Sequence, residues 1–296
     1  MTECQPKKLA LRIQLPLAVI KKDNPMKPEI FEPNSELAEF VKCYWTLESK
    51  KNKAPKINTI VPDGTMKLIF HYGDLYKNHL DNGESFILPK CFLIGQLTRP
   101  FIVEPLGITG SFVVRFHPNG FLPFTTIPIK EMENTAVPLE KLFGKDGQEI
   151  GANILKAKST SERIELIEIF LLNRLTDRKN IDDIVKSTVE AILTANGQLS
   201  VNELSKRNNI NRRQLTRKFS STIGLSPKQL SKTIRLQNAL KSFTTNNNKS
   251  LTELAYENEY YDQAHFIKEF KEFTGLTPKE FYGEHLKMSL IFENKS

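Results

Sequence analysis

The chain has 296 residues, of which 39% are hydrophobic and 26% charged, and a formal net charge of +8. With a pI near 9.2 and a mean hydropathy of −0.36, it is long enough for two hydrophobic cores and has no apolar run of membrane-spanning length. Its charge favours a polyanionic partner. The three cysteines, Cys4, Cys43 and Cys91, are scattered and odd in number, which excludes a disulfide framework and fits a reducing compartment.

Residues 1–28 read as a flexible, basic, proline-containing lead without an assigned role. Leu9–Ile20 is apolar but is interrupted by Arg12 and Pro16 and lacks a small-residue cleavage site. It is not read as a signal peptide, and the cytoplasm is the expected compartment. Asn34 or Ser35 is expected to cap a short helix carrying Leu37, Phe40 and Val41. Strands are predicted at Cys43–Leu47, Ile57–Val61, Met66–Tyr72, Phe86–Leu88, Cys91–Leu97, Phe101–Val103 and Phe112–Phe116. Pro62-Asp63-Gly64 predicts a tight turn between two of them. Many short strands at close spacing predict a β-barrel or sandwich.

Helical spacing then takes over. Ser159-x-x-Glu162 predicts a capped helix with Ile164, Ile167, Phe170, Leu171 and Leu175 on its apolar face. Ile181, Ile184, Val185, Thr188, Val189 and Ile192 recur at i, i+3, i+4, i+7, i+8 and i+11, and Gly197 closes that helix.

From Ser200 to Tyr282 one unit is written twice. Ser200, Glu203 and Leu204 match Ser250, Glu253 and Leu254 at an offset of 50. Asn211, Leu215, Phe219, Gly224 and Pro227 match Asp262, Phe266, Phe270, Gly275 and Pro278 at an offset of 51, so the second copy has one extra turn residue. The matched positions punctuate helices. The Ser-x-x-Glu pairs are capping boxes, Asn211 and Asp262 are N-caps, and the glycines suit left-handed helix ends. Ser226-Pro227 and Thr277-Pro278 open further helices. Each copy therefore predicts a short helix, a turn and a longer helix. Lys228–Phe243 is the connector; at about 1.5 Å per residue it spans roughly 24 Å, enough to hold two helices near one DNA turn, about 34 Å, apart.

Charge gives this repeat its chemistry. Residues 191–249 hold eleven Lys and Arg against one acid, Glu203, whereas residues 250–296 hold five against nine acids. Four bases, Arg212, Arg213, Arg217 and Lys218, fall on the second helix of the first copy. With Leu215 and Phe219 in the core, Arg213, Thr216 and Arg217 face outward. Guanidinium groups in that position pair guanine edges or clamp phosphates. Without the duplicated caps, a solvated basic face would be the better reading of such a charge run.

The stretch from about Val185 to Tyr282 resembles the DNA-binding domain of AraC/XylS-type bacterial transcription regulators. The residues that carry the resemblance are N211-RRQLTRKF219, G224-LSPKQL230, R235-LQNAL240 and Y260-YDQAHFIKEFKEFTGLTPKEF281. Two positions depart from the family pattern: Glu259, after Asn258, replaces a usual Gly, and Lys268 replaces a usual Arg. The resemblance implies sequence-specific binding of double-stranded DNA, RNA polymerase as a partner, and a homodimer. In arabinose-type relatives a helix near Glu162–Leu175 pairs two subunits; packing within the chain is an equal alternative for that helix here. Base reading is expected from Arg213, Thr216 and Arg217 with Arg212 beside them, and Lys218 adds charge. The equivalent positions of the second unit are Gln263, Ala264, Ile267 and Lys268, poorer donors in an acidic setting.

Ahead of it, E36-LAEFVKCYW45, V61-PDGTMKLIF70, I94-GQLTRPFIVEP105 and V114-RFHPNGF121 resemble an uncharacterised N-terminal domain of such regulators. That resemblance implies a small cupin-like β-fold used as a sensor, with an unknown small-molecule effector.

The expected fold is therefore α+β: a cupin-like β-barrel or sandwich followed by an all-α domain of two helix-turn-helix units joined by a connector helix. The expected divisions are a lead at 1–28, a β-rich sensor at 29–158, a linker helix at 159–180 and a DNA-binding domain at 181–296. No cofactor, metal or catalytic residue is expected. His71, His79 and His117 lack the H-x-H pair of metal-binding cupins, and no G-x-S-x-G, H-E-x-x-H or phosphate loop occurs. Two other classes stay open. A metal-dependent cupin-type enzyme would bind metal stoichiometrically, and a protein-interaction adaptor would bind all duplexes equally poorly.

Overall fold

The computed structural model describes residues 29–49, 57–175, 182–245, 251–258 and 260–281. The expectations for residues 1–28, Ile181, Ser250, Glu259, Tyr282 and His285 lie outside these segments.

In chain order the strands are β1 (Glu29–Phe31), β2 (Val41–Glu48), β3 (Asn58–Ile60), β4 (Lys67–His71), β5 (Tyr76–His79), β6 (Ser85–Ile87), β7 (Cys91–Ile94), β8 (Phe101–Pro105), β9 (Gly110–Phe116) and β10 (Ala136–Pro138). They form two sheets, β1-β2-β9-β4-β7-β10 and β3-β8-β5-β6, and the recorded strand pairs are antiparallel. Of the two expected arrangements, this is the sandwich. The period of two along β2 distributes its side chains from Cys43 onward, after a register shift between Val41 and Cys43 that turns Val41 to the other face. Cys43, Trp45 and Leu47 pack with the second sheet, while Val41 and Tyr44 join the core beneath the helices.

The turn at Pro62-Asp63-Gly64 carries the chain from one sheet to the other. Asp63 accepts from the Thr65 amide at 3.1 Å, the Lys67 ammonium at 2.8 Å and the Arg115 guanidinium at 2.8 Å. All three charged side chains are buried. Burial would raise the Asp63 carboxyl, but Lys67 and Arg115 hold it below its ordinary value.

Residues 35–40 form turns instead of the expected short helix. The side chain of Asn34 does accept from the Leu37 amide at 3.0 Å, but β2 begins too soon for a helix to propagate. Leu37, Phe40 and Val41 are nonetheless buried. Strands β1, β5 and β10 and helices α1 (Leu139–Phe143) and α2 (Lys145–Lys156) had no counterpart in the sequence reading.

Helix α3 (Thr160–Arg174) starts at Ser159, whose hydroxyl accepts from the Glu162 amide at 3.1 Å. Its apolar face, Ile164, Ile167, Leu171 and the following Leu175, is buried within the chain. Glu168 fastens it to the sheet, accepting from the Tyr44 hydroxyl at 3.0 Å and from both Asn34 amides at 2.9 and 3.1 Å. A subunit contact through this helix would have to use its outer side, where Ile169 is 53% exposed.

Candidate nucleic-acid interface

Helix α4 (Asp183–Thr194) is capped by Asp182 and buries Val185, Thr188, Val189 and Ile192. The chain then reverses at Gly197, φ +77°, into α5 (Val201–Arg207). The capping box is complete there: Ser200 accepts from the Glu203 amide, and the Glu203 carboxylate accepts from the Ser200 amide at 2.8 Å. Asn211 caps α6 (Arg212–Ile223) by accepting from the Gln214 amide at 2.9 Å, and Gly224 ends the helix at φ +83°.

Leu215, Phe219 and Ile223 bury one face of α6. Arg212, Arg213 and Arg217 are exposed on the other, Thr216 is half-buried, and the three guanidinium groups have no ion pair among the described residues. Lys218 is different. Its ammonium pairs with Asp182 at the start of α4, so part of its charge is engaged within the domain. The tail of α6 leans on the β-domain: a Cβ at Gly224 would come within 2.8 Å of Ile129 Cγ2.

The connector α7 runs from Pro227 to Thr245, 19 residues against the 16 expected, or about 28 Å. Ser226 and Gln229 cap it reciprocally, at 2.9 and 3.2 Å. The Pro62–Gly64 turn presses against this helix. Gln237 Nε2 donates to the Pro62 carbonyl at 2.6 Å, and a Cβ at Gly64 would lie 2.6 Å from Leu230 Cδ1.

The second unit comprises α8 (Leu251–Glu257) and α9 (Gln263–Thr274). Asp262 caps α9 by accepting from the His265 amide at 2.7 Å, and Gly275 ends it at φ +77°. Gln263, Ala264 and Lys268 are exposed and Ile267 is half-buried. The matched caps thus put the same four positions of each copy on an outer face. Phe266, Phe270 and Phe273 form a small core with Leu236, Leu240 and Val61.

Sequence reasoning missed what fixes α9 against α7. Glu269 is 2% exposed and accepts twice from Arg235, at 2.9 and 3.0 Å. Lys232 lies 3.6 Å and His265 3.7 Å from the same carboxylate, and Arg235 covers the Tyr260 ring. The available signal was the position of Glu269 between Phe266 and Phe270, beside the apolar stripe. An acid counted as surface charge is therefore a buried tie. Tyr261, 88% exposed just before the Asp262 cap, was also passed over.

The family described as "Helix-turn-helix domain" matches residues 204–283, and the family described as "Domain of unknown function (DUF6597)" matches residues 29–138. The first of these matches runs from α5 through α9 and so takes in both helix-turn-helix units. A relative of that domain is an uncharacterized HTH-type transcriptional regulator of Staphylococcus aureus (strain MSSA476), 31% identical over 104 residues, or 35% of this chain and 14% of the relative. The chain therefore spans only a small part of the length of the curated relatives it matches.

Among solved structures, ToxT from Vibrio cholerae is 13% identical with a TM-score of 0.45, covering 80% of this chain and 97% of that one. The AraC-like transcriptional activator CuxR is 11% identical with a TM-score of 0.34, covering 76% and 83%. In the β-domain, His71 bonds Ser111 Oγ at 2.8 Å and His79 meets Glu104 at 2.9 Å. Cys43 and Cys91 are free thiols.

Proposed function

We propose that the chain is a sequence-specific DNA-binding transcription regulator that reads the major groove with α6 and α9. The observation that carries this reading is the row of exposed arginines on α6 without an ion pair among the described residues. Arg212, Arg213 and Arg217 stand exposed on a helix whose caps, opposite face and C-terminal end are all anchored. Arg213, Thr216 and Arg217 serve base reading and Arg212 and Lys218 phosphate neutralisation, while Gln263, Ala264, Ile267 and Lys268 make the weaker second contact. Gln263 suits an adenine edge, and Ala264 and Ile267 suit a thymine methyl.

In this reading the DNA-binding domain is 181–296, preceded by a linker helix at 159–180 and a sensor domain at 29–158 that acts through the Pro62–Gly64 and Ile129 contacts. The regulator works in the cytoplasm as a homodimer, addresses RNA polymerase at promoters and performs no catalysis of its own. The exposed Ile169 side of α3 is the surface we assign to the second subunit.

The test is selection of genomic fragments by the purified chain, followed by binding to a selected duplex and to a scrambled one at fixed salt. Preference for the selected duplex, lost in an Arg213→Ala/Arg217→Ala double variant that stays folded, is expected. Equal affinity for both duplexes would overturn the reading.

A further inference from the structure

A cavity of about 80 Å³ lies between the two sheets of the β-domain, lined by apolar side chains such as Leu47, Ile60, Phe92 and Val113, together with Trp45 and His71. Two of the side chains that line it carry a polar atom of unusual status. Trp45 Nε1 and His71 Nε2 are buried without a hydrogen-bond partner among the described residues, on side chains that are 6% and 5% exposed. Native interiors pair the great majority of such atoms, and leaving one unpaired is costly. Here both side chains that carry them line one space.

The chemistry of those atoms restricts what fits. The indole N–H only donates. His71 Nδ1 is engaged with Ser111 Oγ at 2.8 Å, which leaves Nε2 to donate or to accept according to the tautomer. Burial holds the imidazole down at about 4, so it is neutral at physiological pH. Among the described residues no Asp, Glu, Lys or Arg lines the cavity, and an ion placed there would lose its hydration uncompensated. A water molecule needs two to four polar partners and about 30 Å³ of liquid volume; this space is larger, and its walls are mostly hydrocarbon. It is also about half the roughly 150 Å³ of an apolar cavity that holds benzene.

We infer that this cavity is the effector site of the β-domain and takes a compact, uncharged apolar molecule, or the end of one, bearing a hydroxyl or carbonyl oxygen that bridges Trp45 and His71. The inference deepens the proposed sensor role, and rests on that role for its regulatory meaning only. Occupancy would be felt across the first sheet. β4, which carries His71, follows the Pro62–Gly64 turn that touches α7.

Trp45 is the chain's single tryptophan, so its emission reports on the cavity directly. The full chain, without DNA, is titrated with propan-2-ol, propane and isobutyrate, whose three-carbon body suits a space of this size. Propan-2-ol is expected to shift Trp45 emission saturably. Propane should bind about three- to ten-fold more weakly, which is the worth of one or two hydrogen bonds, and the carboxylate should have no saturable effect. His71→Phe should remove the preference for the alcohol. Ile60→Phe, at the half-buried rim, should weaken both neutral probes while leaving the far-ultraviolet spectrum unchanged. No saturable change with propan-2-ol, or equal response in the wild type and both folded variants, would overturn the site. Because DNA is absent from this assay, such a failure leaves the DNA-binding proposal standing, and loss of DNA binding elsewhere would not imitate it.

Discussion

Gln237 donates its side-chain amide to the carbonyl oxygen of Pro62 across 2.6 Å, and so joins the helix between the two reading units to the turn that switches sheets in the β-domain. Gln237→Leu keeps the volume and removes the donor, stranding a buried carbonyl at a cost of about 1–3 kcal/mol. The expected result is a melting temperature lower by a few degrees with unchanged helix content, measured by differential scanning fluorimetry and circular dichroism. An unchanged melting temperature would show that the contact contributes nothing.

Glu269 holds α9 to α7 through Arg235. Glu269→Ala leaves the guanidinium without its counter-charge in a largely dry setting, at about 3 kcal/mol. The damage should be local. Amide exchange is expected to rise in residues 260–275 and to remain near wild type in α6. Protection lost equally in both units would contradict the separation of their cores.

On DNA, Arg217→Ala should cost about 1–3 kcal/mol of specific binding, and removal of Arg212, assigned to a phosphate, should lower the salt slope by about 1. Lys268→Ala should cost less. Fluorescence anisotropy over a range of salt concentrations measures both quantities, and equal losses would reject the ranking of the two units.

His71 gives a signed pH prediction. Burial holds its imidazole at about 4, below the ordinary 6.5, so as pH falls the unfolded chain takes up the proton first. The stability contribution is complete above about pH 6.5 and is lost as pH drops toward 4, by about 3 kcal/mol at most. Denaturant melts from pH 7 to pH 4 should show this loss in the wild type and a flatter profile in His71→Phe.

Helix punctuation was legible in the sequence because caps are local chemistry. Ser159, Ser200, Asn211 and Asp262 each accept the amide three residues further on, as their spacing implied, and Gly224 and Gly275 take the left-handed conformation. Long-range pairing was not legible. Nothing in the neighbourhood of Lys218 announces its pairing with Asp182, which is 36 residues away. Strand β5, Tyr-Lys-Asn-His, escaped because its alternation is carried by Tyr76 and a buried Asn78 that donates to the Ile102 carbonyl. Without that partner, a polar tetrapeptide reads as loop.

The duplicated units are rooted in different ground. Leu204, Leu215, Phe219 and Ile223 belong to the large core that also contains Ile129 and the sheet-facing helices, whereas Phe266, Phe270 and Phe273 belong to a separate cluster whose only β-domain member among the described residues is Val61. The mutual aim of the two arginine- and glutamine-bearing helices is thus not a property of the connector by itself. It is surveyed from two fixed marks in the β-domain, Ile129 and Val61; under the proposed function, an effector that altered the distance between those marks would retune the phase at which the protein meets successive turns of a duplex.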